Sequence, residues 1–262
     1  MMNINPRSAY NCPENLALLV KEESIDVTFV SESWEREDFT LEQLLGDSLG
    51  EDYQILSNPH SRTAGRPGGR PAIIIRKDKY IVKSLTNTVI HIPWRVEATW
   101  GLIIPKNISH TSLIQKTVLC SFYYPGPKSK TKTILLDCIC LAFQILSAKY
   151  GKGVNFLMCN TLCNTLCINA NKLSPESVLS LSPEMKQMVT SPTRLTPPEM
   201  LDPIITTLGR WYQVPVCLAP VEADTSDWGE DVRPPGPGHE ARGHDQQPAG
   251  QDLEDSQGPA AP

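Results

Sequence analysis

Ile25-Asp26-Val27-Thr28-Phe29-Val30-Ser31-Glu32-Ser33-Trp34 is a short apolar run, rich in β-branched residues, that stops at a carboxylate. Such a run is too short for a helix and predicts a buried strand over 25–30, with Glu32 just beyond its end. The segments on either side alternate between helical and strand patterns. Upstream, Pro13 suits the first turn of a helix carrying Leu16, Leu19 and Val20 to Glu23, with Asn11 or Cys12 at its start. The few residues before it form a short opening segment that ends at Asn5.

Downstream, Thr40-Leu41-Glu42-Gln43 matches a capping box and predicts a short helix ending near Gly46. Strands are predicted near 53–57, 71–77, 80–85, 95–104 and 117–124. From Thr131 to Tyr150, Leu135, Cys138, Ile139, Ala142, Ile145 and Leu146 recur at three- and four-residue steps, which predicts the longest helix, with Gly151 as its stop. Val154 to Cys159 and Leu201-Asp202-Pro203-Ile204-Ile205-Thr206 complete the strand pattern. The alternation implies an α/β fold.

Composition narrows the class. Of 262 residues, 40% are hydrophobic and 20% charged, a globular balance, and 23 prolines exclude a coiled coil. No apolar run approaches the ~20 residues of a bilayer span, and no secretory pattern opens the chain. An intracellular protein of nucleus or cytoplasm is expected, not a secreted one and not a membrane partner. The eight cysteines are then read as reduced, mostly buried thiols.

Residues 222–262 hold ten acids and two bases, so the other 221 carry a net +3 against −5 for the whole chain. That segment also has six prolines, six glycines and almost no large apolar side chains, too little to offset chain entropy. Two parts are expected: a folded domain over 1–221 and a disordered acidic tail over 222–262. The acidic balance of the whole chain therefore does not exclude a phosphate-rich partner for the body.

Polar residues at strand ends are where chemistry collects in α/β proteins. Asn5, Glu32 and Tyr124, the last within Tyr124-Pro125-Gly126-Pro127, occupy such positions. A lone carboxylate past a buried strand suits a hard cation such as Mg²⁺, and an amide and a phenol beside it could hold a phosphate oxygen. Turn residues of the same types would look alike, so residue type alone leaves both readings open.

Asn5-Pro6-Arg7-Ser8, Ser31-Glu32-Ser33-Trp34, Tyr124-Pro125-Gly126-Pro127 and Leu201 to Thr206, in this order, resemble the endonuclease/exonuclease/phosphatase superfamily. The likeness is greatest to the endonuclease domain of non-LTR retrotransposons and runs over nearly all of 3–218. It implies a DNase-like four-layer sandwich, two packed β-sheets flanked by helices, and Mg²⁺-dependent cleavage of DNA phosphodiesters. By the same resemblance Glu32 binds the metal, Asn5 lies beside the scissile phosphate, Tyr124 hydrogen-bonds it and Asp202 orients a histidine.

Two parts of the pattern are missing. The resemblance calls for Gly-Asp-x-Asn after the strand 154–159, where this chain reads Met158-Cys159-Asn160-Thr161-Leu162-Cys163. Asn160 is the nearest counterpart, and an amide neither takes a proton from water nor binds a cation as a carboxylate does. The Ser-Asp-His that closes the pattern occurs nowhere, so the final strand is expected to be absent and Asp202 to lack its histidine. Each such loss lowers a rate by roughly 10²–10⁴, which leaves cleavage near background. Unpaired sheet edges then imply a domain of low stability.

Basic residues give a separate signal. Arg62, Arg66, Arg70, Arg76, Lys77 and Lys79 face only Asp78 in a glycine-rich segment, and Lys128, Lys130 and Lys132 follow Tyr124. Arg62, Arg66, Arg70, Lys128 and Lys130 are the expected contacts to a DNA backbone, although a solvated loop has the same composition. Asn160-Thr161-Leu162-Cys163 is repeated as Asn164-Thr165-Leu166-Cys167, a tandem duplication too short for a structural repeat. Cys159, Cys163 and Cys167 lack the paired spacings or nearby histidines of zinc sites.

Overall fold

A computed structural model describes residues 1–6, 9, 12–35, 39–58, 69–92, 97–107, 116–123, 129–151, 153–161, 181–189, 194–195, 198–199 and 204–208, some of them by backbone alone. All the described strands and helices lie within the compact unit Met1–Cys217. The second unit, Leu218–Pro262, and with it the expected tail over 222–262, lies outside the described residues, as does any final strand after 208.

Two mixed sheets pack face to face. The first has four strands, β1 (Met2–Ile4), β2 (Val27–Val30), β3 (Tyr53–Leu56) and β4 (Ala72–Arg76), in the order β1-β2-β4-β3. The second has six: β5 (Tyr80–Ser84), β6 (Glu97–Pro105), β7 (Lys116–Tyr123), β8 (Val154–Thr161), β9 (Lys186–Gln187) and β12 (Ile204–Thr206), in the order β5-β6-β7-β8-β12-β9. β10 (Arg194–Leu195) and β11 (Pro198–Glu199) form a separate antiparallel pair. β7 and β8 are parallel, and the helix α3 (Ser129–Tyr150) supplies the crossover that a parallel pair requires.

Side-chain alternation builds the layers. Val27 and Phe29 of β2, Ile73 and Ile75 of β4, and Leu119, Leu157, Cys159 and Ile204 of the larger sheet meet in the core between the sheets. The alternate residues Val30, Ala72 and Ile74 face outward, onto Leu16, Ala17 and Val20 of α1 (Pro13–Glu22) and Leu41, Leu45 and Leu49 of α2 (Leu41–Leu49). On the far side Val118, Cys120, Phe122, Phe156 and Met158 pack against Ile139, Ala142 and Leu146 of α3. The result is helix, sheet, sheet, helix, with the period-2 and period-3.6 stripes of the sequence each turned to a core. At roughly 1.5–3 kcal/mol per buried large apolar side chain, these three interfaces supply most of the favourable folding energy.

Several boundaries differ from expectation. The opening segment forms a strand, β1, held by parallel pairing from Met2↔Thr28 to Ile4↔Val30, a tertiary contact that three residues cannot announce. α2 runs past Gly46 to Leu49 and is closed by Gly50, whose positive φ (+70°) suits glycine and whose N–H donates to the Gly46 carbonyl at 2.7 Å. β12 starts at Ile204, while 201–203 lie outside the described residues. β9, β10 and β11 have two residues each, too short for any periodic pattern.

The capping box of α2 is complete. Gln43 N–H donates to Thr40 Oγ1 at 3.3 Å, and Thr40 N–H donates to Gln43 Oε1 at 2.7 Å. Thr40→Ala should lower stability by about 1 kcal/mol, while Thr40→Ser should retain most of it. Urea denaturation checks this through a shifted midpoint at unchanged m-value.

Candidate functional site

Parallel pairing of β1 with β2 brings the first site residues together. Ile4 is level with Val30, so both chains leave the sheet side by side. The Ser31 N–H and hydroxyl each donate to the Ile4 carbonyl at 3.2 Å, which prolongs the pairing by one residue. Asn5 and Glu32 therefore emerge as neighbours, and Asn5 Nδ2 donates to Glu32 Oε1 at 3.2 Å. The other carboxylate oxygen, Oε2, accepts from Trp34 Nε1 at 3.4 Å.

The turn after Glu32 is tightly held. Trp34 has φ +55°, a left-handed backbone that a bulky residue adopts only under constraint from its surroundings. Ser33 N–H donates to the Arg70 carbonyl at 3.2 Å, Ser33 Oγ donates to the same oxygen at 2.6 Å, and Trp34 N–H donates to the Gly69 carbonyl at 3.3 Å. Beneath the turn, Glu35 is only 2% exposed. Its Oε1 accepts from Leu41 N–H, at the start of α2, and from the Ser57 hydroxyl, both at 2.9 Å. Burial raises the Glu35 pKa above its ordinary value, against the opposing pull of those two donors and of Arg70.

Three bonds at the same edge tie the larger sheet to this turn. Ser121 Oγ donates to the Val30 carbonyl at 3.3 Å, Thr99 Oγ1 donates to the Pro71 carbonyl at 2.6 Å, and Glu97 Oε2 accepts from Arg70 N–H at 2.7 Å. Here β7 and β8 end together, with Glu97↔Tyr123, Phe122↔Asn160 and Tyr123↔Thr161 in register, and β12 begins at Ile204↔Cys159. Asn160 is thus the penultimate residue of β8. Tyr124 and Asp202 lie outside the described residues.

Arg70, one of the expected contacts to a DNA backbone, is 5% exposed, with φ +62°, and its Nε and Nη1 have no hydrogen-bond partner among the described residues. It is buried because Pro71 leads directly into the central strand β4 and the Ser33–Trp34 turn closes over Gly69 and Arg70. Arg76 and Lys79 sit at the opposite edge, near the start of β2, where Arg76 pairs with Asp78 and Lys79 with Asp26. Lys130 lies in the first turn of α3, and Arg62, Arg66 and Lys128 lie outside the described residues.

The donor set fits a hard cation held sparingly. No group of three His, Cys, Asp or Glu side chains that could hold a metal occurs among the described residues. Mg²⁺ commonly binds through one or two carboxylates and keeps several waters, which a single half-buried Glu32 with an amide beside it can satisfy. Thiolate chemistry is disfavoured. Burial pushes Cys138 to about 11 and Cys120 well above its ordinary value. Glu97, Ser33 and Gly69 were not anticipated from sequence; the only available signal was a carboxylate opening the apolar run 97–105.

No protein family model and no curated protein matches the chain. Among solved structures, it is similar to the endonuclease/exonuclease/phosphatase from Bacteroides vulgatus, at 13% identity and TM-score 0.48, over 78% of this chain and 84% of that one. It is similar to the human Nocturnin catalytic domain with bound sulfate, at 9% identity and TM-score 0.49, over 74% of each chain. It is also similar to the endonuclease domain of TRAS1, a telomere-specific non-LTR retrotransposon, at 13% identity and TM-score 0.46, over 78% of this chain and 82% of that one.

The Glu35 carboxyl has a testable consequence. Its folded pKa lies above the ordinary 4.5, so just above pH 4.5 the folded chain binds this proton more tightly than the unfolded chain. The stability it contributes is therefore lost as pH rises through the folded value. Glu35→Gln should flatten that slope, as measured by denaturation midpoints from about pH 4 to about pH 7.

Proposed function

We propose that this chain is a retroelement-derived domain of the endonuclease/exonuclease/phosphatase type that keeps the cation-holding corner of a phosphodiesterase and has lost most or all of its hydrolytic power. The observation that carries this reading is the Asn5–Glu32 pair at 3.2 Å, two residues 27 apart in sequence brought together past the ends of parallel strands. Both lie within the ordered motifs on which the resemblance rests.

When bound, Mg²⁺ would neutralise charge on a phosphodiester during in-line attack by water. In this reading Glu32 holds the ion and Asn5, through its amide, fixes the carboxylate and faces the phosphate. Tyr124 is proposed as a phosphate contact and Asp202 as a remnant without its histidine. Asn160 stands where a water-positioning aspartate is called for and offers no basicity. The cation site would thus survive its own general base. DNA, met through its backbone by Arg62, Arg66, Lys128 and Lys130, is the proposed partner, and its signature would be salt-sensitive, sequence-independent binding. No described helix is long and apolar enough to cross a membrane.

Supercoiled plasmid incubated with the full chain and Mg²⁺ tests the reading. Nicking should stay at background for both wild type and Glu32→Ala, while DNA is retained at low salt and released as salt rises. Nicking by the wild type that disappears in Glu32→Ala would overturn the loss of catalysis and make the protein a working Mg²⁺-dependent endonuclease. Failure to retain DNA at low salt would remove the partner.

A further inference from the structure

We infer that Glu97 is the positioning residue of the Glu32 cation site, acting across the two sheets through Gly69 and Arg70. This rests on the cation reading of Glu32 proposed above and names the group that holds that carboxylate in place. Glu97 is the first residue of β6, so it is anchored in the larger sheet, whereas Glu32 follows β2 in the smaller one.

The connection is continuous. Glu97 Oε2 accepts from Arg70 N–H at 2.7 Å; the Arg70 carbonyl accepts both Ser33 donors, and the Gly69 carbonyl accepts the Trp34 N–H. Ser33 and Trp34 directly follow Glu32, and the Trp34 indole reaches back to its Oε2. The middle of this chain has an unusual backbone. Gly69 (φ +81°) and Arg70 (φ +62°) are consecutive positive-φ residues, a strained backbone for Arg70, whose amide meets an anion. The carboxylate of Glu97 supplies that anion. A Cβ at Gly69 would overlap Glu97 Oε2, so the carboxylate lies in space that only glycine leaves open.

Outer partners that orient a ligand typically affect metal affinity by about 10–100-fold. Tb³⁺ is a suitable probe, because an ion on the Glu32 carboxylate sits beside Trp34 and should luminesce when tryptophan is excited. Titrating Tb³⁺ into the full chain should give luminescence that is lost in Glu32→Ala and in Trp34→Phe. Glu97→Ala should weaken Tb³⁺ binding by about tenfold or more, and Glu97→Gln, which keeps an acceptor oxygen for Arg70 N–H, should restore it toward wild type. Ile139→Val, a core truncation beneath α3 far along the chain from this joint, should lower the melting temperature without moving the affinity.

Wild-type affinity in a folded Glu97→Ala variant overturns the inference and leaves the cation reading intact. Equal losses in Glu97→Ala, Glu97→Gln and Ile139→Val also overturn it, assigning Glu97 to general stability. Absence of Glu32-dependent luminescence in the wild type overturns the cation reading and the inference together. Should Glu97→Ala fail to fold by circular dichroism, Gly69→Ala carries the test, since its methyl would displace the same carboxylate. Wild-type affinity there overturns the inference.

Discussion

Two β-sheets packed through aliphatic side chains are free to slide over one another unless something directional stops them, and here a row of polar contacts at one edge does so. Ser121 to the Val30 carbonyl, Thr99 to the Pro71 carbonyl and Glu97 to the Arg70 N–H run across β7 and β6 of one sheet to β2 and the entry of β4 in the other. The inner core of Phe29, Ile73, Ile75, Leu119 and Leu157 provides the attraction but specifies register only loosely. Each polar link contributes about 1 kcal/mol net, and leaving one unmade would strand a buried group. Sheet register is therefore set beside Glu32, at the site itself.

That arrangement explains why the segment after β2 is so constrained. Its amides and hydroxyl are taken up by Gly69 and Arg70, its Glu35 side chain caps α2, and its Trp34 accepts a left-handed backbone. The Glu32 carboxylate on such a turn has little conformational entropy left to lose. Arg70 and Glu35 are buried in the same region with the Arg70 Nε and Nη1 and the Glu35 Oε2 unpartnered among the described residues, which costs stability.

Much of the fold was legible in local patterns. The apolar run Val27–Val30, the stripe along α3, the capping box at Thr40 and the stop at Gly151 each reflect short-range physics: alternation, helical period, N-cap hydrogen bonds and a left-handed terminus. β1 was hidden, because three residues become a strand only once β2 lies alongside. The extension of α2 to Leu49 was hidden too, because Gly46 in a helix and Gly46 after one look alike until Leu49 finds its place in the core. The burial of Arg70 was hidden for a related reason: a basic residue beside two glycines resembles a loop, and only the closing turn of Ser33 and Trp34 covers it.

For the site, the sequence determined the chemistry of its candidates. It placed an amide at 5, a carboxylate at 32 and an amide at 160, and residue identity alone decides which groups can hold a cation or take a proton. Only the tertiary structure decided that Asn5 meets Glu32, that Glu97 reaches Gly69 and Arg70 from the other sheet, and that Arg70 turns inward. Those contacts span 27 residues or more, and at such separations partners are chosen by how whole sheets pack, which no local pattern encodes.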